Sequence, residues 1–427
     1  KTYFPKPLNF QNADEWINRI YFSEIKFNNE PQDSWSEYLT GSFYDVEGNY
    51  GGINALISLK ENMYYLQDRG VGILMINPVS MVNDSLGQPI KLGDGTKTIQ
   101  KHYYKAIDAG TVHQWSVYRS QSAITFVDAR HKKIYLFNGE SVTPISDVKG
   151  QRSFVIKRLH NELLKYDNPV INKGILVTYD YYHNEFLYTF NNVLTEDTVN
   201  NENLTLAYSE VMDNFTGLYS FTPNLYINSN KYLLSTKHPL VTDTNNKLWF
   251  HNYGTYGMFY NTLCKSNLKL LINDNPLYTK VFDNITWNSE SIKDNVEWND
   301  DYNLYPGSPI NPSYVDDVNN QSDTFDKIRC YNDWQNTDWN TLTLAPPNNN
   351  LTRKERNFNL QVPRNKFDYD STAPSIVSIF NPANLTRLYF GERMRDKYMI
   401  VDLEYPNSIG NRFIIHNLKT IYRISDR

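Results

Sequence analysis

The stretch Ala123-Ile-Thr-Phe-Val-Asp128, then Ala129-Arg130-His131-Lys132, then Lys133-Ile-Tyr-Leu-Phe137 and Asn138-Gly139, decides the fold class. It reads as an apolar strand closed by an aspartate, a four-residue polar turn, a second apolar strand and an Asn-Gly turn. Both runs are short and rich in β-branched and aromatic side chains, which fit a pleated surface better than a helix face. Strand, aspartate, tight turn, strand is the pattern of one propeller blade.

The pattern recurs on either side. Upstream, Gly52 to Asn77 is a β-meander, with Ile53, Leu56 and Leu59, then Met63, Tyr65 and Gln67, then Val71, Ile73 and Met75 after a turn at Asp68-Arg69-Gly70. The quoted unit runs from Gln114 to Val148 and starts with a strand at Trp115 to Tyr118. A third unit holds Gly174-Ile-Leu-Val-Thr-Tyr-Asp180 and Glu185-Phe-Leu-Tyr-Thr-Phe190, and a fourth covers Leu204 to Phe250. Their central strands recur at roughly 50 to 60 residues, near propeller spacing. Helical signals are few: Asp14 to Ile20 with Asn12 as N-cap, and Gln151 to Leu164. After Tyr260 the texture changes. Strands at Leu268 to Ile272, Lys280 to Trp287, Phe358 to Val362, Tyr398 to Val401 and Arg412 to Ile415 flank a stretch rich in Asn, Asp, Pro and Trp. The expected class is all-β: residues 1–50 a lead-in, 51–260 a β-propeller-like domain, and 261–427 a β-sandwich-like domain with a long loop excursion over 288–350.

Composition agrees. The chain has 427 residues, enough for two to three domains at about 150 residues each. It holds 33 Tyr against 21 Phe, and about 50 Asn, roughly three times ordinary Asn usage. Tyrosine favours half-wet pleated surfaces and asparagine favours turns. The net charge of −5 argues against gripping nucleic acid by broad charge neutralisation. Mean hydropathy is −0.59, and no apolar run approaches the ~18 residues of a membrane span. Cys264 and Cys330 make no disulfide framework. The seven sequons, at Asn83, Asn203, Asn214, Asn284, Asn320, Asn350 and Asn384, match what this Asn, Ser and Thr content gives by chance. Lys1 stands where a Met would start a chain, with no signal peptide pattern after it. That reads as a cleavage product or the start of a fragment.

No residue set assembles into a catalytic or cofactor motif. Gly93-Asp94-Gly95 and Gly70-Val71-Gly72 complete no nucleotide fingerprint. The histidines lack metal-ligand spacing, no Gly-x-Ser-x-Gly occurs, and Asp316-Asp317 to Asp326 reads as a solvated loop more than as a calcium site. Metal, cofactor and catalytic residues are therefore all expected to be none. Trp298, Asp300 and Asp301, with Trp334, Asp338 and Trp339, place acids beside tryptophans. That suits a gate or a glycan-contact loop, and equally plain turn chemistry. Arg353, Lys354, Arg356, Arg364, Arg393 and Arg395 cluster around the late strands. They read as channel-lining or inter-subunit charges, or as strand-edge charges that block aggregation.

Several segments together resemble one family. They are Leu204-Thr-Leu-Ala-Tyr-Ser-Glu210, Phe215-Thr-Gly-Leu-Tyr-Ser-Phe-Thr-Pro223, Leu248-Trp-Phe-His-Asn-Tyr-Gly254, Gly257-Met-Phe-Tyr260, Lys280-Val-Phe-Asp-Asn284 and Arg393-Met-Arg-Asp-Lys-Tyr398. In this order they resemble the muzzle, or nozzle-type tail tube, proteins of crAss-like phages, over roughly Trp16 to Arg427. The resemblance implies a structural virion protein at the distal end of a short phage tail. It further implies a homo-oligomeric ring, sixfold by family, around a channel for DNA and cargo proteins. Expected partners are other copies, other tail proteins and an upstream fragment of the same polypeptide, with transient passage of DNA and no tight nucleic-acid binding. Residues 288–350 are the expected lumen gate, tip loop or docking surface. The alternative is a propeller-based tail protein that binds or degrades glycans. It would show two inward carboxylates about 5 to 10 Å apart or an exposed aromatic platform.

Overall fold

Asp128 ends its strand because its carboxylate caps the turn that follows. Oδ1 accepts from the backbone N–H of Arg130 at 2.9 Å and of His131 at 3.1 Å, and Oδ2 meets His131 Nδ1 at 2.7 Å. Lys132 then takes a left-handed φ of 55°, and Lys133 pairs back with Asp128. Asp180 repeats the device. Its Oδ1 accepts from Tyr182 N–H at 2.9 Å, its Oδ2 meets His183 Nδ1 at 2.8 Å, Asn184 has φ 56°, and Glu185 pairs with Asp180. The Asp-x-x-His turn is an internal repeat carried by short-range hydrogen bonds.

The computed structural model describes residues 16–24, 34–76, 80–83, 89–92, 98–159, 167–168, 173–191, 203–229, 232–237, 247–293, 313–314, 324–344, 349–368, 377–378, 391–408 and 410–425. They divide into two units, Lys1–Asn252 and Tyr253–Arg427. The architecture is all-β.

In the first unit β1 (Arg19–Tyr21) pairs with β2 (Phe43–Asp45). A four-stranded antiparallel sheet follows from β3 (Ile53–Leu59), β4 (Asn62–Gln67) and β5 (Gly70–Ile76). The hairpin of β6 (Ser80–Asn83) and β7 (Pro89–Leu92) precedes its fourth strand, β8 (Ile99–Ile107). The second sheet is β9 (Tyr118–Arg119), β10 (Ile124–Asp128), β11 (Lys133–Phe137) and β12 (Val142–Pro144). Helices α1 (Ile145–Val148) and α2 (Arg152–Arg158) come next. The third sheet is β13 (Gly174–Asp180), β14 (Glu185–Asn191), β15 (Leu204–Ser209) and β16 (Asn214–Tyr219). A three-stranded sheet closes the unit with β17 (Pro223–Asn228), β18 (Leu233–Lys237) and β19 (Leu248–Phe250). In each of these four sheets the strands lie side by side in chain order.

The sheets pack face on face. Strands β10, β13 and β15 are buried along their whole length, so both faces of each are covered. One core joins Tyr64, Leu66, Phe126 and Phe137 across the first and second sheets, and another joins Val127, Ile134, Val177, Phe186 and Tyr208 across the second and third. Buried hydroxyls meet between sheets. Thr125 Oγ1 lies 2.6 Å from the Tyr188 hydroxyl, and Thr189 Oγ1 lies 2.7 Å from that of Tyr226. Tyrosine is thus used here as a core residue with a satisfied tip.

The second unit runs in chain order through the hairpin of β20 (Met258–Phe259) and β21 (Thr262–Leu263), then β22 (Ser266–Ile272), β23 (Lys280–Lys293), β24 (Ser313–Tyr314), β25 (Lys327–Tyr331) and β26 (Asn340–Thr341). It continues with β27 (Leu351–Lys354), β28 (Asn357–Gln361), the hairpin of β29 (Phe367–Asp368) and β30 (Val377–Ser378), then β31 (Arg395–Asp396), β32 (Met399–Tyr405) and β33 (Arg412–Ile424). Two sheets share one core. One is ordered β22-β32-β25-β26. In the other, β23 is central, with β33 on one flank and β31, β28 and β24 along the other. Trp287, Phe358, Ile328, Val401 and Leu403 fill the space between them.

Three local expectations are corrected. Residues 16–21 are a turn and a strand, not a helix. Arg19 pairs across the ladder with Asp45 at 2.6 Å, and its guanidinium lies over the rings of Trp16 and Phe43. The sequence around Trp115 is a 3-10 turn, Gln114–Ser116, because the Ser116 hydroxyl donates to the His113 carbonyl at 2.8 Å. The 288–350 stretch is not all loop. Residues 288–293 finish β23, and Phe325, Ile328, Cys330 and Leu342 lie in the core. Trp298, Asp300, Asp301, Asp316 and Asp317 lie outside the described residues, as does the Gly93-Asp94-Gly95 fragment.

Candidate functional site

Both outer faces of the second unit are built around carboxylates on a central strand. Side chains alternate along a strand, so Asp402 and Glu404 of β32 share the face opposite the core residues Val401, Leu403 and Tyr405. Flanking strands supply cations. Arg329 Nη2 lies 2.6 Å from Asp402 and Lys269 Nζ 3.6 Å, while Lys265 and Lys327 lie 2.8 and 3.3 Å from Glu404. The other sheet repeats this. Arg423 and Arg393 lie 2.6 and 2.7 Å from Asp283, and Arg356 and His416 lie 2.9 and 3.0 Å from Glu290. Each acid is bracketed by two bases.

The bracketing sets the chemistry. Hydrogen bonding from Arg423 holds the Asp283 carboxyl below the usual carboxylate range, and Lys265 does the same for Glu404. A general acid needs a raised value, so these two are poorly suited to that role. The alternation in Val401-Asp402-Leu403-Glu404-Tyr405 was the signal for this face, and a search for acids beside tryptophans passes over it.

The residues singled out from sequence fall as follows. Arg356 and Arg393 are spent within the chain on Glu290 and Asp283. Arg353 Nε donates to the Glu355 carbonyl at 2.8 Å, Arg364 to the Gly391 carbonyl at 3.3 Å, and the backbone N–H of Arg395 to Gln335 Oε1 at 2.6 Å. Lys354 is exposed at the end of β27. Trp334 is exposed in a turn capped by Asn332, whose Oδ1 accepts from the Trp334 N–H at 2.9 Å. Asp338 caps its neighbour, accepting from the Trp339 N–H at 2.8 Å, and holds a left-handed φ of 57°. The Arg329 guanidinium sits 5.0 Å from the ring centroids of both Trp339 and Tyr331. One face of that indole is therefore already taken by a cation.

The first unit offers a cavity of about 360 Å³ lined by Leu59, Lys60, Arg119, Ser120, Gln121 and Tyr181. Beside it Glu210 ties three elements together, accepting from Ser120 Oγ at 2.7 Å, Ser122 Oγ at 2.8 Å and the Tyr179 hydroxyl at 2.7 Å. Among the described residues the lining carries no carboxylate.

The Asp180–His183 pair gives a pH prediction. Burial opposes ionisation of Asp180, but hydrogen bonds from His183, Asn252 and the Tyr182 N–H outweigh it and lower its value from 3.8. The hydrogen bond to Asp180 raises His183 above 6.5. The His183 contribution is fully present below 6.5 and is lost as pH rises through its raised folded value. The Asp180 contribution is present above 3.8 and is lost as pH falls through its lowered value. The pair therefore holds best between those two limits. Asp180→Asn keeps the turn cap and removes the charge. NMR titration should then find His183 titrating lower than in the native chain, since the Asp180 hydrogen bond and charge no longer offset its burial. An unchanged midpoint would contradict the pairing.

Comparison with known proteins adds a family. A model described as "Crassvirus muzzle protein" matches residues 1–239, and one described as "Crassvirus muzzle protein C-terminal domain" matches residues 254–365. A curated relative, the "Muzzle protein" of Bacteroides phage crAss001, is 24% identical over 349 residues, which is 81% of this chain. The chain spans 22% of the length of that relative.

Proposed function

The chain belongs to the crassvirus muzzle protein family, whose members are structural components of the virion tail, and from that premise we propose that it is one subunit of a homo-oligomeric ring forming the distal muzzle of a short tail. The observation that carries this reading is the family match across most of an all-β chain. The ring is sixfold, contacts other tail proteins and encloses the channel through which DNA and cargo proteins leave. Its role is mechanical rather than catalytic. The ion brackets around Asp283 and Glu404 support that, since they hold carboxylates in one charge state.

Unit one is, in this reading, a propeller-like body. Four consecutive antiparallel sheets with strands in chain order, packed face on face, support it. The net charge of −5 suits a wall past which DNA slides, because affinity for a polyanion grows with each phosphate neutralised.

Reconstruction of the intact particle tests the reading. The expected result is density for this chain repeated around the lumen at the distal end of the tail. Density in the capsid shell or on a lateral fibre would overturn it.

A further inference from the structure

The cavity of the first unit is built from equivalent parts of three successive sheets. Leu59 and Lys60 come from the end of β3 and its turn into β4. Arg119, Ser120 and Gln121 come from the end of β9 and its turn into β10, and Tyr181 from the turn between β13 and β14. Each turn joins the first strand of its sheet to the second. Loops gathered from successive repeats are where such folds place binding sites, because side chains can vary there without disturbing the core.

The cavity is one-sided in charge. Lys60 and Arg119 line it, and neither forms an ion pair among the described residues. Arg119 is held in place, since its Nη1 donates to the carbonyl and to the hydroxyl of Ser58, both at 2.6 Å. That leaves its Nε and Nη2, an edge whose spacing matches a carboxylate. Glu210 lies beside the cavity, but its oxygens are taken by Ser120, Ser122 and Tyr179 rather than by a cation. Two cations that share a cavity repel each other, and a bound anion relieves them. The nearby Glu210 charge favours a single negative charge over two.

The lysine is also placed at a cost. Lys60 and Glu61 hold left-handed φ values of 47° and 66° in a two-residue turn closed by the Leu59–Asn62 pair. Such turns ordinarily take Asn-Gly, and backbone strain of this kind concentrates at ligand clamps. Tyr181 supplies a fixed wall, its ring edge-on to Tyr179 at 4.9 Å. At about 360 Å³ the cavity lies near the lower end of the roughly 300–1,000 Å³ of small-molecule sites, which suits one sugar ring. We propose that it binds an acidic sugar unit, a uronic acid. Arg119 and Lys60 hold the carboxylate, the Tyr181 ring covers the apolar face of the sugar, and the Gln121 amide meets a hydroxyl. Such a site exists whether or not the chain closes a ring.

Ligand-observed NMR on the full chain tests this, with D-glucuronate, D-glucose, acetate and D-glucose 6-phosphate as probes. Glucuronate should bind saturably. Glucose and acetate, each lacking half of the recognised group, should bind roughly tenfold or more weakly, and the doubly charged phosphate more weakly than glucuronate. Lys60→Asn suits the left-handed turn and removes one cation, and Arg119→Gln removes the other. Each should weaken glucuronate binding roughly tenfold. Lys132→Asn is the control, a like change at a left-handed turn position outside the lining, and should bind as the native chain does. Circular dichroism checks that the variants fold. In the native chain, which needs no variant, glucuronate should shift the resonances of Gln121 and Tyr181. Absence of saturable glucuronate binding overturns the proposal. So does glucose, acetate or the phosphate binding as tightly as glucuronate, or a cavity variant that binds like the native chain. An equal loss in Lys132→Asn, or shifts confined to other residues, overturns it as well.

Discussion

Trp287→Ala is expected to cost the second unit about 3–5 kcal/mol, the range for truncating a large buried aromatic. Trp287 is 1% exposed. Its ring stacks on Phe358 at 5.9 Å between centroids with planes 16° apart, and meets Phe325 edge-on at 5.9 Å. Phe358 lies opposite it on β28 and Leu418 on β33, so one side chain bridges three strands. Its Nε1–H donates to Thr324 Oγ1 at 2.8 Å. Truncation therefore opens a cavity and strips a buried hydroxyl of its donor, and the two penalties add. Chemical denaturation checks the size, and hydrogen exchange over β23 and β28 checks the place. Trp334→Ala is the contrast. That side chain is exposed and its turn is held by Asn332, so its loss should stay within about 0.5 kcal/mol. Equal costs for the two tryptophans would contradict the core described above.

The strands were legible because local pattern and packing agree. Ile53–Leu59, Ile124–Asp128, Lys133–Phe137 and Gly174–Asp180 each carry a run that fits one sheet, and each runs directly into a turn. The helix expected near Asp14 was misread because Trp16, Ile17 and Ile20 also fall at helical spacing. What settles their conformation is Asp45, a residue distant in sequence. Composition misled in a related way. The tyrosine surplus pointed to wet faces, yet Tyr65, Tyr188 and Tyr208 are buried, and the Tyr188 and Tyr208 hydroxyls reach Thr125 and Asp213. A hydroxyl count in sequence does not say which tips find partners inside. The cationic residues near the late strands were visible, but their carboxylate partners Asp283 and Glu290 lie across the sheet. No linear spacing announces them.

Gly110→Ala is expected to destabilise the first unit by about 3 kcal/mol, the upper end of overpacking costs. A methyl at this position would sit 2.2 Å from the Gln67 carbonyl oxygen, 2.7 Å from the Arg69 nitrogen and 2.7 Å from the Asp68 carbonyl carbon. All three are backbone atoms, so no rotamer change relieves the clash. The turn they belong to is itself fixed. Gln67 Nε2 donates to the carbonyls of Glu47 and Gly51 at 2.9 and 2.8 Å, its Oε1 accepts from the Tyr104 hydroxyl at 2.7 Å, and the Thr111 N–H donates to the Gln67 carbonyl at 3.0 Å. Gly110 is thus where the chain leaving the first sheet presses against the β4–β5 turn before entering the second. Displacing it should disturb the stacking of successive sheets on which the propeller-like reading depends. Gly217→Ala is the control, since nothing lies within 4 Å of a methyl there. It should change stability by no more than about 0.5 kcal/mol. Thermal unfolding of the two variants side by side decides the matter. A Gly110→Ala protein as stable as Gly217→Ala would mean that the two sheets are not held at this turn.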